Sequence, residues 1–254
     1  MSEERRKASA ALVVRGVRKT FATARQEALV AVDGVDLEVA LGEFVGIVGE
    51  SGCGKSTLVR IVVGLTEPDE GSIEVATRAE RAKENPASCA QMVFQLPTSS
   101  FDPRRTLLQS VAEPLRNAHF GRHEAFSRAL DLLGQCGLDE AIGASYPHQV
   151  SGGQCQRAAI ARALAADPAL LVCDEATSAL DVTAQRHIVE LLRGLKGLTN
   201  MACLFVSHDI ALVQSLCDRV AVMDAGRIVE EGPVDEVVNR PRHACTRRLI
   251  EAVL

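Results

Sequence analysis

One stretch near residue 50 has the residue types and the spacing of a phosphate-binding loop. Residues 49–57 read G-E-S-G-C-G-K-S-T, which fits the pattern G-x-x-x-x-G-K-[ST]. Apolar runs lie before it at 44–48 and after it at 58–63, so the order strand, glycine-rich turn, helix is predicted. In that arrangement backbone N–H groups converge on an anion at the positive end of a helix. The stretch therefore predicts binding of a nucleoside triphosphate.

Individual positions of this loop have distinct predicted roles. Lys55 brings a positive charge to the β- and γ-phosphates, and the Ser56 hydroxyl can ligate Mg²⁺. A glycine-rich surface turn is the alternative interpretation, but a chance match in a chain of 254 residues has a frequency of only about 1 in 100. The residues predicted to bind the nucleotide here are Gly49, Ser51, Gly52, Cys53, Gly54, Lys55, Ser56 and Thr57.

A second chemical feature is a pair of carboxylates at the end of an apolar run. Asp174 and Glu175 follow the run Leu170–Cys173, which is typical of a parallel strand buried on both faces. The carboxyl end of such a strand is where ligands bind in open α/β folds. Asp174 is predicted to hold Mg²⁺ through water, and Glu175 to polarise the attacking water. A solvated strand end is the alternative.

The third feature is the sequence V-S-G-G-Q at 150–154, which predicts a second anion site built from a hydroxyl and glycine N–H groups. Here the chain resembles the ATP-binding-cassette (ABC) ATPases, although Val150 stands where that family commonly has Leu. In the family this signature binds the γ-phosphate of ATP held by the opposite subunit. The resemblance therefore implies a head-to-tail dimer with ATP between two chains. The signature residues implied to bind ATP are Ser151, Gly152, Gly153 and Gln154.

Further positions match motifs of the same family in order along the chain. The resemblance implies that Gln95 contacts Mg²⁺ and water, that His208 reaches the γ-phosphate and that Phe21 stacks on adenine. Asp181 belongs to the segment S-A-L-D, implied to cross the dimer interface. Taken alone, His208 would be a strand-end histidine and Phe21 a core residue. The predicted catalytic residues are Lys55, Gln95, Glu175 and His208, and the predicted metal ligands are Ser56, Gln95 and Asp174.

Strand patterns that alternate with helix patterns predict an α/β fold with a mostly parallel sheet. The resemblance implies a phosphate-loop NTPase cassette with an N-terminal antiparallel β-subdomain and an inserted α-helical subdomain. The cassette is predicted over 11–254, with the core at 11–96 and 164–254 and the helical subdomain at 97–163. Residues 1–10 are predicted to be a flexible polar tail.

Three local boundaries bear on the predicted site. Phe21 is predicted in a polar, turn-like stretch, because no alternation of apolar residues continues through it. Gln95 is predicted at the end of a β-segment over 91–95. The helix that follows the signature is predicted over 158–164, where small residues form an uninterrupted run.

Composition excludes several other classes of protein. A net charge of −5, the absence of Trp and an aromatic content of 3% argue against a nucleic acid partner. Eight cysteines without a C-x-x-C spacing predict reduced, buried thiols in the cytosol, with metal ligation as the alternative. Cys155 and Cys173 lie beside site motifs, which raises the hypothesis of thiol-sensitive activity. No apolar run reaches the length of a membrane span, and residues 1–11 lack the pattern of a secretory signal.

Two segments narrow the resemblance to importers. Residues 95–104 read Q-L-P-T-S-S-F-D-P-R and resemble the Q-x-P-x-x-S-x-x-P-R segment of dipeptide, oligopeptide and nickel importer ATPases. Residues 239–246 resemble their N-x-P-x-H-P-Y-T ending, with Ala244 and Cys245 in place of Pro and Tyr. Within that group the chain is most similar to the second ATPase subunit of nickel importers. The resemblance implies an ATP-hydrolysing subunit that powers uptake of nickel or of di- and oligopeptides.

The same resemblance implies where the chain acts and with what. The implied partners are a second ABC ATPase subunit in a heterodimer, two transmembrane permease subunits and, indirectly, an extracytoplasmic substrate-binding protein. The implied location is the cytoplasmic face of the cell membrane, and the implied cofactors are ATP and Mg²⁺. The alternative is a soluble ABC ATPase that acts as an accessory or remodelling subunit of a complex of the carbon–phosphorus lyase type.

Overall fold

The structure is a computed structural model that describes residues 10–22, 28–76, 89–198 and 200–252. The chain divides into two compact units. The first comprises residues 1–76 and 196–254, and the second comprises residues 77–195. The predicted tail at 1–10 lies outside the described residues except for Ala10, which begins the first strand.

The first unit begins with an antiparallel sheet, as predicted. Its elements are β1 (Ala10–Ala22), β2 (Ala28–Ala40), β3 (Phe44–Val48), α1 (Lys55–Val62) and β4 (Glu70–Val75). Strand β1 pairs antiparallel with β2 on one side and with β4 on the other. On β2 the alternate residues Val35, Leu37 and Val39 are buried while their neighbours are more exposed, so one face of the strand packs inward.

The prediction for Phe21 was wrong. Phe21 lies on β1, opposite Leu29 of β2, and not in a turn. Both side chains are exposed, so this end of the two-stranded ribbon carries no buried face and shows no alternating pattern in the sequence. Backbone pairing across the ribbon, which leaves no trace in hydropathy, makes this stretch a strand.

The second unit contains a parallel strand pair and a group of helices. In chain order its elements are β5 (Ala90–Val93), α2 (Leu107–Asn117), α3 (Arg122–Gln135), α4 (Glu140–Gly143), α5 (Gly152–Leu164), β6 (Leu170–Asp174) and α6 (Val182–Leu198). Strand β5 pairs with β6, and every residue of β6 is buried. Helices α2, α3 and α5 pack against one another. Short 3₁₀ segments lie at Pro97–Ser100 and Pro147–Gln149. The predicted boundaries of the helical subdomain at 97–163 stay a prediction.

Two boundaries in this unit differ from the sequence prediction. Strand β5 ends at Val93, so Gln95 lies in the loop beyond the strand. Helix α5 begins at Gly152, six residues before its predicted start at 158. The side chains of Ser151 and Gln154 form a capping box at this end, which stabilises the first turn even though that turn contains two glycines of low helix propensity.

The remaining elements return to the first unit. They are β7 (Ala202–Val206), α7 (Ile210–Leu216), β8 (Arg219–Asp224), β9 (Arg227–Pro233), α8 (Val234–Asn239) and α9 (Ala244–Glu251). Strand β3 lies between β7 and β8 and is parallel to both. Strands β3 and β7 are wholly buried, as the continuous apolar runs predict. Strand β9 pairs antiparallel with β8 across a turn at Ala225 and Gly226, where both residues have positive φ.

All eight cysteines are buried and free, which confirms the prediction of buried thiols. Burial raises the pKa of Cys155 to about 11 and that of Cys136 to about 12. A raised thiol pKa disfavours the reactive thiolate, so the environment of Cys155 argues against thiol-sensitive activity at that position. None of the helices in the described ranges is both long and apolar enough to cross a membrane.

Candidate active site

The predicted phosphate loop connects β3 to the start of α1. Gly54 is the N-cap residue of α1, and within the described ranges no side chain caps this helix end or places a carboxylate in its first turn. The N–H groups of the first turn have no partner within the helix, and the helix dipole makes this end positive. The local structure therefore offers hydrogen-bond donors to an anion, as the sequence predicts.

Gly54 shows why this loop needs glycine and how closely it is packed. Its φ is +109°, a conformation that side chains rarely adopt, and a Cβ there would lie 2.1 Å from the Ala31 carbonyl oxygen of β2. The loop backbone is thus pressed against β2 at a point where only glycine fits. A cradle that a Cβ would fill, next to an uncapped helix end, fits the phosphates of a nucleotide.

Lys55 places a buried positive charge inside this loop. The residue is 4% exposed, and its Nζ donates hydrogen bonds to the carbonyl oxygens of Gly49 at 2.8 Å and Glu50 at 2.9 Å. The Cys53 Sγ lies 3.8 Å from the same nitrogen. All three contacts are to uncharged atoms, so the ammonium charge is not neutralised by them. This charge makes the loop attractive to a phosphate anion.

His208 lies on the turn that follows β7, in the same unit as the phosphate loop. The Ser207 N–H donates to the Ile47 carbonyl oxygen of β3 at 3.1 Å, which holds this turn against the strand that enters the loop. Asp209 then begins α7, because its Oδ1 accepts from the N–H groups of Ala211 and Leu212. The exposed His208 side chain is thus carried at the carboxyl edge of neighbouring parallel strands, the edge where α/β folds bind ligands.

Phe21 lies elsewhere in the first unit, near the end of β1. Its ring is 41% exposed, and its partner Leu29 across the ribbon is 58% exposed. The Lys19 Nζ lies 5.7 Å from the centroid of the ring. An exposed aromatic side chain beside an exposed leucine is compatible with the predicted stacking on a base.

The two predicted carboxylates of the second unit stand in different environments. Asp174 is the last residue of β6 and is 7% exposed. Glu175 follows with a φ of +48°, which lies in the left-handed region that few non-glycine residues adopt. The strained backbone turns the chain at the strand end. Strain of this kind is found at functional sites.

A chain of hydrogen bonds joins Gln95 to the Glu175 backbone. The Gln95 Nε2 donates to the Ser178 Oγ at 3.0 Å, and the Ser178 Oγ donates to the Glu175 carbonyl oxygen at 3.0 Å. The structure thus connects two residues, far apart in sequence, that were both predicted to act on the attacking water, with Gln95 also predicted to contact Mg²⁺. The role of Ser178 was not predicted, because nothing in the spacing of S-A-L-D indicates that its hydroxyl reaches Gln95.

The donor set predicted for Mg²⁺ consists of oxygen atoms from a serine, a glutamine and an aspartate. Hard cations such as Mg²⁺ prefer oxygen ligands and keep several waters when bound, so the types of Ser56, Gln95 and Asp174 suit the ion. Within the described ranges, no group of three or more His, Cys, Asp or Glu residues could hold a metal ion. The predicted magnesium ligands do not form such a group, because only Asp174 among them is a His, Cys, Asp or Glu residue.

The signature residues form the N-terminus of α5. The Ser151 Oγ accepts from the Gln154 N–H at 3.2 Å, and the Gln154 Oε1 accepts from the Ser151 N–H at 2.9 Å. Ser151 and Gly152 are exposed, so the helix end is accessible to an anion from outside the unit. Asp181 caps the neighbouring helix α6, because its Oδ1 accepts from the Ala184 N–H at 2.8 Å.

The two helix ends touch at Gly153, which gives a testable prediction. A Cβ on Gly153 would lie 2.8 Å from the Ala184 Cβ, whereas a Cβ on Gly152 would lie at an ordinary 3.5 Å from Leu180. Replacement of a helical glycine by alanine is normally stabilising by about 1 kcal/mol. We expect Gly152→Ala to follow that rule and Gly153→Ala to lower the free energy of unfolding by about 1–3 kcal/mol through overpacking.

Urea denaturation of both variants measures the difference. Equal stabilities of Gly152→Ala and Gly153→Ala would show that the helix ends do not touch at Gly153.

Comparison with known proteins identifies the family. The family model described as "ABC transporter" matches residues 32–178, more than half of the chain. The chain belongs to the ABC transporter family. The phosphate loop, the signature and both carboxylates of the candidate site all lie within the matched residues.

Curated relatives and solved structures agree with this assignment. The chain is 45% identical over 228 residues to the oligopeptide transport ATP-binding protein OppD of Mycobacterium tuberculosis, covering 88% of this chain and 37% of the relative. It is 43% identical over 232 residues to OppF of Escherichia coli, covering 89% and 70%. The structure matches the dimeric ATP-binding cassette MJ0796 bound to ADP and Pi with a TM-score of 0.78 and 32% identity, covering 88% of this chain and 98% of that one.

These comparisons confirm the predicted ABC family and the predicted α/β phosphate-loop NTPase fold, and they support ATP hydrolysis. The two relatives are named as transport proteins, so the soluble alternative of the carbon–phosphorus lyase type is not favoured. The chain spans just over a third of the length of OppD and 70% of the length of OppF.

Proposed function

We propose that the chain is the ATP-hydrolysing subunit of an ABC importer. The observation that carries the proposal is the hydrogen-bonded path from Gln95 through Ser178 to Glu175, beside the buried Asp174. Such a path fixes the Gln95 side chain relative to the backbone of Glu175, and activation of one water molecule by two groups requires that both be held in place.

In this proposal the residues of the chain divide the work of phosphoryl transfer. The first-turn N–H groups of α1 and the Lys55 ammonium hold the triphosphate, and Phe21 supports the base. Mg²⁺, when bound through Ser56, Gln95 and Asp174, neutralises phosphate charge. The Glu175 carboxylate accepts a proton from the attacking water, and His208 donates a hydrogen bond to the γ-phosphate. Positioning and electrostatics account for most catalysis of this kind.

The signature at the start of α5 supports pairing with a second cassette. A capped helix end with an exposed serine and glycines can bind an anion from another molecule, and Asp181 at the start of α6 lies beside the same helix end. We propose a head-to-tail dimer in which this signature completes the site of the opposite subunit, and a sister ATPase as that subunit. The ATP-bound sites close and open as the dimer forms and separates.

The names of the relatives support peptides as the cargo. OppD and OppF are named for oligopeptide transport, and the segments 95–104 and 239–246 resemble those of peptide and nickel importers. We therefore propose that the subunit docks on two permease subunits at the cytoplasmic face of the membrane and powers uptake of oligopeptides delivered by an extracytoplasmic binding protein.

Capture of partners from membranes tests this function. The tagged chain is expressed in the organism that encodes it, the membranes are solubilised in detergent, and the proteins that co-purify are identified. We expect a second ATPase and two permease subunits, and we expect uptake of labelled oligopeptide to stop when the gene is deleted. Recovery of a soluble enzyme complex in place of a permease would reject the importer, and uptake of nickel but not of peptide would correct the cargo.

The loop after Gln95 offers a specific contact for the permease. Arg105 is paired with Glu113 of α2 at 2.9 Å, and the Asp102 Oδ1 accepts from both the N–H and the Nε of Arg104. The Arg104 side chain is nevertheless 89% exposed. We expect Arg104→Glu to lower peptide uptake about tenfold by repelling its docking surface, while ATP hydrolysis by the purified chain is unchanged. Arg122→Glu, on an exposed part of α3, is the control. Normal uptake by Arg104→Glu would exclude a contact there.

A further inference from the structure

A glutamine in the interior of the second unit is only half satisfied. Gln156, on α5, is fully buried, and its Oε1 receives no hydrogen bond from the residues that the structure describes. Buried polar side-chain atoms in proteins almost always have a partner. An apolar residue of the same size would fill this position without leaving an orphan acceptor, so packing does not explain why a glutamine stands there.

The other end of the same amide makes a specific bond. The Gln156 Nε2 donates to the Phe94 carbonyl oxygen at 3.2 Å. That carbonyl belongs to the peptide unit that joins Phe94 to Gln95, and a peptide unit is planar. A hydrogen bond that holds its oxygen therefore also fixes the direction of the Gln95 N–H and of the bond to the Gln95 Cα.

A second residue of α5 holds the same segment farther along. The Arg162 guanidinium donates to the carbonyl oxygen of Ser100 at 2.5 Å and to its Oγ at 2.9 Å. It also lies over the ring of Phe101, 4.3 Å from the centroid. Helix α5 thus holds the chain by hydrogen bonds on both sides of Gln95, from Gln156 to Phe94 before it and from Arg162 to Ser100 after it. The residues between, which follow the end of β5, have no strand pairing to hold them.

We infer that Gln156 is a positioning residue that sets the orientation of Gln95. The inference rests on the proposed function, because it gives Gln95 its role beside Glu175. Helix α5 begins at the signature residue Ser151, so one rigid helix carries both the signature and the side chain that orients Gln95. A hydrogen-bonded path then runs from Gln156 through the Phe94 peptide to Gln95, Ser178 and the Glu175 backbone.

If Gln156 positions Gln95, its replacement should slow ATP turnover without lowering the stability of the fold. Gln156→Met keeps the approximate volume of the side chain. It removes the Oε1 acceptor that has no partner, and it removes the hydrogen bond to the Phe94 carbonyl oxygen. Replacement of an incompletely bonded polar group by an apolar group of similar shape is close to neutral for folding. We therefore expect the thermal midpoint of the variant to equal or exceed that of the wild type, whereas a residue kept for stability would lower it.

The test compares Gln156→Met with Gln91→Met, which makes the same chemical change on β5, four residues before Gln95. Amide hydrogen exchange is measured without nucleotide on a peptide covering 93–97. We expect exchange there to be at least about threefold faster in Gln156→Met and unchanged in Gln91→Met. We expect kcat for ATP hydrolysis to fall about tenfold or more in Gln156→Met with KM for ATP changed less than about twofold, and neither to move in the control.

Unchanged exchange at 93–97, or an unchanged kcat, in folded Gln156→Met overturns the inference. A thermal midpoint below that of the wild type, together with lower activity, would also overturn the inference, because that result would make Gln156 a residue kept for packing. If Gln156→Met does not fold, Gln156→Asn, whose shorter amide cannot reach the Phe94 carbonyl, is judged by the same criteria. Failure of the proposed function gives a different result, because the wild type itself would not hydrolyse ATP. The exchange measurement would still show whether Gln156 holds the Phe94 carbonyl.

Discussion

Glu175→Gln is expected to bind ATP as the wild type does and to lose turnover by about 10²- to 10⁴-fold, the usual contribution of a general base. The substitution keeps the shape of the side chain and the hydrogen bond from Ser178, because that bond is made to the Glu175 carbonyl oxygen and not to the carboxylate. The left-handed backbone at this residue is likewise unaffected by the change. The ability to accept a proton is removed, together with the negative charge of the carboxylate.

The nucleotide bound to the variant reports this directly. After incubation with Mg²⁺ and ATP, the protein is separated from free nucleotide and the bound species is identified by chromatography. We expect ATP on Glu175→Gln and ADP on the wild type. Glu190→Gln, an exposed residue of α6 paired with Arg186, is the control and should behave as the wild type. ADP on Glu175→Gln at the wild-type rate would remove Glu175 from the role of base.

Lys55→Met is expected to change nucleotide affinity and stability in different directions. Hydrogen bonds from a charged group contribute about 1.5–3 kcal/mol, so loss of the ammonium should weaken ATP binding by about 10-fold to 150-fold. The same ammonium is 4% exposed and contacts only uncharged atoms in the loop. Removal of a buried charge that has no charged partner among the residues the structure describes relieves its desolvation cost, so the free energy of unfolding without nucleotide should be unchanged or higher.

Calorimetric titration with ATP and urea denaturation of the same variant measure the two effects. Arg60→Met, an exposed residue in the last turn of the same helix, controls for loss of a positive charge and should alter neither by more than about 0.5 kcal/mol. A large loss of stability in Lys55→Met would mean that its bonds to the loop carbonyls hold the fold. Wild-type affinity in that variant would mean that the loop does not bind the triphosphate through Lys55.

The parts of the site that lie on one continuous stretch of sequence could be predicted well. The phosphate loop follows a buried strand and begins a helix, and all three features leave local patterns in composition and spacing. The apolar run before Asp174 likewise indicated a buried strand that ends in a carboxylate. In both places backbone geometry follows from residues that are neighbours in the chain.

The parts that depend on contacts between distant residues could not be predicted. Phe21 lies on a strand because it pairs with Leu29, and both side chains are exposed, so hydropathy gave no sign of the pairing. Gln156 resembles any other polar residue of a helix in the sequence, yet it is buried against the Phe94 carbonyl. One signal was available: the S-x-x-Q spacing of Ser151 and Gln154 is that of a capping box, and it would have placed the start of α5 correctly.

Single-turnover hydrolysis by the purified chain shows whether the proposed site cleaves ATP and whether Glu175 is its base. Protein is used at a concentration high enough for two copies of the chain to pair head to tail, so that each copy supplies its signature to the other. It is mixed with a smaller amount of labelled ATP and Mg²⁺, and conversion to ADP and phosphate is followed for the wild type and for Glu175→Gln. The proposed site predicts complete conversion by the wild type and, over the same time, conversion of about 1% or less by the variant. ATP that stays bound and intact on the wild type would contradict the proposed hydrolysis, and equal conversion by both proteins would contradict the role of Glu175 as the base.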